Sequence, residues 1–321
     1  MMMAAPAATK TKNLAREQAM ETIVGTGKYT YKVHEDWAHV PVGVDMKPAA
    51  VAVDPHDRVY CFNRNPDHPV VVFDRSGEFL FSWGAGIFRF PHAIRFDAEG
   101  FAWLTDEHHM QFMKFTPEGE LLQTIGLRGH RADTGVPDDD FSSQAWKKVT
   151  HGGGPFNLPT DIAFAPDGSM FMSDGYGNAR VHKFSPQAEY MFSWGEPGAA
   201  PGQFNLPHGV WVDRRGRLLV ADRENDRVQV FDQDGHLLEI WPTELIGPAF
   251  FYVDADDIVY VAEHNGGMVS ILTLDGERLT RWGDPIHRSC HGIWCDSRSD
   301  IYVVQPGTWG RVRRVVKFEH V

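Results

Sequence analysis

One pattern recurs along the chain: a proline, an alternating apolar run, an Asp-rich turn and a second apolar run. It reads FPHAIRFDAEGFAWLTD from Phe90, LPTDIAFAPDGSMFMSD from Leu158, LPHGVWVDRRGRLLVAD from Leu206 and GPAFFYVDADDIVYVAE from Gly247, with weaker copies from Pro48 and Cys290. The starts Pro48, Pro91, Pro159, Pro207, Pro248 and Cys290 are separated by 43, 68, 48, 41 and 42 residues, the length of one four-stranded propeller blade in all but the second interval. Each unit continues into an outer hairpin, as in ARVHKFSPQAEYMFSWG and DRVQVFDQDGHLLEIW, where apolar alternation flanks a tight turn. Six such units predict an all-β, six-bladed β-propeller, because radial packing shields sheet edges that an open stack, the alternative, would expose. The strand-like KYTYKVHEDW from Lys28 has no partner in its own repeat and is expected to close the ring beside the last blade, which ends in VRRVVKFEHV. Residues 28–321 are therefore expected to form one propeller. Residues 1–27 read as an N-terminal tail with a short helix around Asn13 to Ile23. Trp83, Trp194, Trp241 and Trp282 recur at blade ends, where they are expected to pack between blades.

The oversized interval holds GLRGHRADTGVPDDDFSSQAWKKVTHGGGPFN, residues 126–157, a long insertion between blades two and three. Loops of that length without their own strands commonly form lids or binding loops. Its two histidines, His130 and His151, are read as solvated. A formal net charge of −12 argues against a protein that grips phosphate backbones, so nucleic acid is not an expected partner. No run of 18 apolar residues and no secretory-type opening is found, and three cysteines, Cys61, Cys290 and Cys295, do not make a disulfide framework. A soluble cytoplasmic protein without a membrane partner is expected; oligomeric state is not legible.

The residue after each strand-leading proline, or its substitute, is Ala49, His92, Thr160, His208, Ala249 and His291. Histidine thus fills one structural slot in blades two, four and six and in no other blade. Alternate blades of a six-fold ring place equivalent positions about 120° apart, so three imidazoles can converge on one point. A solitary histidine there would read as a packed rim residue; three in register suit a metal ion with an open position, Zn²⁺ first, with iron or manganese as alternatives.

A second ring is read at the far end of each blade's second strand: Asn63, Asp106, Asp174, Asp222, Glu263 and Gln305, expected to cap turns. Their neighbours Arg64, Glu107, His108, Tyr176, Arg223 and His264 are chemically richer. Arg64 and Arg223 are candidates for a carboxylate clamp, and Tyr176, beside cations and a metal, for a base with a lowered pKa. Glu107 and His264 are candidate substrate contacts.

The stretches LPTDIAFAPDGSMFMSDGYGNARVHKFSP, PGQFNLPHGV and LLVADRENDRVQVF resemble the catalytic core of the peptidyl-α-hydroxyglycine α-amidating lyases, which are NHL-repeat six-bladed propellers. The resemblance runs from about Pro48 to the end and is densest between Pro159 and Phe231. It implies that His92, His208 and His291 hold zinc, that Tyr176 removes a hydroxyl proton, and that Arg64 and Arg223 hold or polarise a carbinolamide whose C–N bond breaks to give an amide and glyoxylate. Two positions depart from the family pattern. Gly177 follows Tyr176 where the family has a disulfide, and Gly292 follows the third histidine where an aspartate helps bind a structural calcium, which argues against Ca²⁺ here. No copper hydroxylase domain precedes the repeats and the long insertion has no counterpart, so a small acid or amide other than a peptide is the expected substrate. The expected function is a metal-dependent lyase acting on a carbinolamide or related α-hydroxy acid or amide. A metal-dependent hydrolase of a small lactone or amide and a non-catalytic NHL scaffold are the alternatives.

Overall fold

A computed structural model describes residues 21–283, 289–307 and 313–321. Five sheets of four antiparallel strands and one of five are arranged radially around a channel. The innermost strands are Pro48–Val53, Pro91–Phe96, Pro159–Phe164, Pro207–Val212, Pro248–Val253 and Ile293–Cys295, each lying against its neighbours in the ring. The six-bladed propeller expected from the repeat is the fold observed. Ring closure also follows expectation: Tyr29–His34 pairs antiparallel with Arg313–His320, so the two ends of the described chain share a blade. The N-terminal boundary is corrected. Ile23–Thr26 is itself a strand paired with Tyr29–His34, which makes the closing sheet five-stranded and begins the propeller before Lys28. The expected helix therefore cannot extend to Ile23, and its part before residue 21 lies outside the described residues.

The repeat folds this way for local reasons. In the turn between a blade's first two strands, an Asp side chain accepts the backbone N–H groups two and four residues on: Asp54 from His56 and Arg58, Asp97 from Glu99 and Phe101, Asp213 from Arg215 and Arg217. Such bonds fix the turn that the Asp-rich signature announced. The first three strands of most blades are largely buried, while outermost strands such as Tyr190–Trp194 and Leu237–Ile240 are half-buried to exposed. Tryptophans at blade ends pack across blade boundaries, with Trp83 5.1 Å from Phe115, Trp194 5.8 Å from Phe231 and Trp282 5.6 Å from Phe318.

The ring of Asn63, Asp106, Asp174, Asp222, Glu263 and Gln305 is at most 5% exposed and is structural, as expected. In four blades its carboxylate ties down the loop entering the innermost strand. Asp106 accepts from the N–H groups of Arg89 and Phe90, Asp174 from Asn157, Asp222 from Asn205 and Glu263 from Ile246. Each bond fixes the chain just before the slot that carries histidine in blades two and four.

Candidate metal and catalytic site

The slot after each strand-leading proline is a β-bulge. In blades one, two, three and five the ladder skips it, pairing Pro91 with Asp106 and then Ala93 with Thr105, for example; in blade four the skip spans His208 and Gly209. An extra residue in one strand bends it and re-aims the side chain, which is why these positions leave the ordinary in–out alternation. His92 and His208 thereby meet His291, which stands at the corresponding position of blade six, in the channel; the three are 0%, 0% and 3% exposed, with ring centroids 4.8–5.2 Å apart. One ligand atom from each lies within 4.8 Å of the others.

Their orientation is set by the alternate blades. His92 Nδ1 is 2.6 Å from the carbonyl oxygen of Thr160, His208 Nδ1 3.0 Å from that of Ala249, and His291 Nδ1 2.7 Å from that of Ala49. Thr160, Ala249 and Ala49 are the residues filling the same slot in blades three, five and one. A carbonyl only accepts, so each Nδ1 carries the proton and each Nε2 keeps its lone pair. Burial, like charges on the neighbouring imidazoles and the guanidiniums of Arg64 and Arg223 hold all three pKa values well below that of an ordinary histidine. Three neutral imidazoles result. His92 Nε2 is buried without a hydrogen-bond partner among the described residues, a cost of about 1–3 kcal/mol that a metal ion would relieve. The donor set fits a divalent transition metal.

Tyr176 stands beside this cluster, 6% exposed. Arg223 Nη1 donates to its hydroxyl at 2.9 Å, and that hydroxyl lies 3.4 Å from His208 Nε2. The backbone here admits no bulk on either side of the tyrosine: a Cβ on Gly175 would stand 2.2 Å from the carbonyl oxygen of Pro207, and one on Gly177 2.2 Å from Asn157 Oδ1. Gly177 is thus the residue that lets Asn157 and the insertion pack against the site. The lowering of the Tyr176 pKa expected beside a metal is not supplied by the protein groups alone. Burial pushes the phenol up, and Arg223 and Arg64 offset this only in part.

A cavity of ≈ 220 Å³ opens above the imidazoles and draws lining residues from all six blades, among them Arg64, Glu107, Tyr176, Arg223, His264 and His291. Arg64 lies with its guanidinium 3.9 Å from the Phe90 ring and donates Nε–H to the carbonyl of Pro91. Arg223 donates Nε–H to Glu224, so the expected two-arginine clamp is already partly engaged by protein groups. Glu107 Oε2 is 3.9 Å from His92 Nε2, and its other oxygen 3.4 Å from His108 Nε2. The His264 ring is 5.4 Å from that of His291. The eight residues given a metal, catalytic or substrate role by sequence therefore gather at one mouth, while His108 stacks on Phe90 and does not line the cavity. His130 and His151 are exposed and do not line the cavity.

Sequence reasoning missed Phe141, Ser143 and Gln144, which the insertion sends to the cavity wall, and Phe250, whose ring lies 4.8–5.7 Å from all three imidazoles. Insertions carry no repeat register, so no spacing pointed to the first three; Phe250 follows the Ala249 slot residue and was legible only as strand. At Gly292 a Cβ would come within 2.9 Å of Ala50 Cα, so a side chain reaching a calcium from that position has no room.

The NHL repeat family matches residues 204–231. Rat peptidylglycine alpha-amidating monooxygenase is 34% identical over 177 residues, 52% of this chain and 16% of that protein. Human NHL repeat-containing protein 3 is 31% identical over 229 residues, 67% of this chain and 61% of its own. The fruit fly (Drosophila melanogaster) protein peptidyl-alpha-hydroxyglycine alpha-amidating lyase 1 is 32% identical over 189 residues, 55% of this chain and 31% of that protein. The chain thus spans less than two thirds of each of these relatives.

Proposed function

We propose, starting from an NHL-repeat six-bladed propeller that resembles the peptidyl-α-hydroxyglycine α-amidating lyases, that this protein is a metal-dependent lyase breaking the C–N bond of an α-hydroxylated amide. The observation that carries the reading is the triad of neutral imidazoles, each Nδ1–H held by a neighbouring blade, with Tyr176 and Arg223 directly beside it. His92, His208 and His291 would hold the ion, with zinc the first candidate. Such an ion polarises a hydroxyl oxygen and lowers the pKa of groups around it.

This chain's residues supply the rest. Arg64 and Arg223 remain charged at any physiological pH and favour a substrate carboxylate. Arg223, donating to the Tyr176 oxygen, stabilises the phenolate needed to take the hydroxyl proton. As the C–O bond becomes C=O, the C–N bond breaks with its electron pair on nitrogen, and Tyr176 returns the proton there. The hydroxyl hydrogen ends on the amide, and no redox partner is required. Phe250 and the cavity walls limit water at the reacting atoms.

A hydrolytic reading has one observation in its favour. Glu107, 3% exposed and 3.9 Å from His92 Nε2, is a carboxylate in reach of a water at the same centre. Turnover in ¹⁸O-water separates the two: hydrolysis places solvent oxygen in the product, whereas lyase collapse keeps the substrate's own oxygen in the nascent carbonyl when exchange is controlled. Metal content of protein purified without a histidine tag tests both. Substoichiometric metal after supplementation, with no turnover of α-hydroxyhippurate, would return the chain to the scaffold class.

A further inference from the structure

The insertion between blades two and three is built as a fixed wall. Val136 and Ala145 are 8% and 0% exposed and belong to the core shared by blades two and three. Arg131 straps the loop: Nε donates to Asn157 Oδ1 at 2.8 Å, and Nη1 donates to the carbonyls of Pro137 and Asp138 at 3.0 and 2.8 Å. Thr134 donates its hydroxyl to the carbonyl of Gly177, one residue from Tyr176. A short 3₁₀ turn at Ala145–Lys148 follows, with Lys148 paired to Asp140 at 2.6 Å.

These anchors present Phe141 to the cavity. Its ring is held between the guanidiniums of Arg89 and Arg131, at 4.5 and 4.9 Å, and lies 4.9 Å from His108, which itself meets Glu107. Cation–π contacts with both guanidiniums favour one position for this half-buried ring. Ser143 and Gln144 continue the wall along the rim. The cavity of ≈ 220 Å³ is smaller than the roughly 300–1,000 Å³ of pockets that take drug-sized ligands.

We infer that the 126–157 insertion sets the substrate class: its Phe141–Gln144 wall admits small N-acyl α-hydroxy acids with a free carboxylate and rejects the same group at the end of a peptide. The carboxylate end of this inference rests on the function proposed above. The size limit rests on the wall alone.

The test uses full-length, metal-loaded protein and two unreactive probes without the α-hydroxyl, N-acetylglycine and N-acetyl-Ala-Ala-Gly, measured by calorimetry. Wild type should bind N-acetylglycine about tenfold or more tightly than the peptide. Phe141→Ala/Gln144→Ala should bring the two within about threefold by a gain in peptide affinity. Gln144 is exposed, so Gln144→Ala alone leaves packing intact and should recover part of that gain. Equal binding of both probes by wild type, binding of neither, or a ratio unchanged in both variants overturns the inference. Turnover of α-hydroxyhippurate, followed in parallel, reads the lyase assignment separately. Absent turnover with the size preference intact removes the lyase and leaves the wall; turnover with equal probe binding removes the wall and leaves the lyase.

Discussion

The two mouths of the channel are made by opposite ends of the same innermost strands, yet they treat polar groups in opposite ways. At the far mouth, Arg95 and Asp161 form a two-pronged ion pair, Nε–Oδ1 2.9 Å and Nη2–Oδ2 2.5 Å, and Arg95 Nη1 donates to the carbonyl of Phe251. Val210 N–H donates to the same carboxylate, and the guanidinium lies 5.4–5.5 Å from the rings of Trp211, Phe250 and Trp294. Every strong group there is answered by another protein group. The cavity beyond it, ≈ 280 Å³ and walled by Phe96, Phe164, Trp211 and Trp294, offers a ligand little besides apolar surface. At the near mouth His92 Nε2 is buried with no hydrogen-bond partner among the described residues, and His208 Nε2 has the Tyr176 hydroxyl at 3.4 Å. Phe250 touches both groups and separates them. The contrast distinguishes a buried polar cluster that holds a fold from one that awaits a ligand: the first is closed, the second is short of partners.

Substitutions at each mouth should therefore fail differently. The largest effect is expected from His208→Ala, which should leave less than about one tenth of an equivalent of metal and abolish turnover while the fold persists by circular dichroism. Retained stoichiometric metal would break the assignment of the triad. Tyr176→Phe should keep the metal and lower kcat by about 10²–10⁴-fold, the range of one proton-transfer residue; an undiminished rate removes the tyrosine from the chemistry.

Asp161→Ala acts on the other mouth. It strands the Arg95 charge and should cost about 3–5 kcal/mol in chemical denaturation without changing metal content, whereas Arg95→Met/Asp161→Leu should recover much of that loss. Loss of metal in a folded Asp161→Ala protein would show that the mouths are coupled through Phe250.

The smallest effect is a pH dependence of the metal-free protein. The folded pKa values of His92, His208 and His291 lie well below 6.5. Below pH 6.5 the unfolded chain therefore takes up protons that the native chain refuses, so stability is full above that pH and falls on acidification. Urea midpoints should decline between pH 7 and 5, and less steeply in His208→Gln. A profile independent of pH would mean that the imidazoles are not held neutral.

Much of this was legible without coordinates because the repeat supplies an internal alignment. Six copies show which position is a slot, and histidine at every second slot is a pattern that packing alone does not produce. The same alignment separated Asp106, Asp174 and Asp222, which tie loops, from Glu107, Tyr176 and Arg223, which face the cavity. The reading weakened where the repeat stops. The strand at Ile23–Thr26 stands outside it, and the insertion offered only length and composition.

The sequence by itself determined the blade count, the ring closure and the identity of the three imidazoles, since periodic pattern and residue type are properties of the chain. Tertiary structure decided the aim of those rings, through bulges and through carbonyls on neighbouring blades that fix each Nδ1 proton. It also decided the acidity of Tyr176, where burial outweighs two guanidiniums, and the placement of Phe141 over the cavity. These are sums over groups distant in sequence, and their balance exists only once the ring is closed.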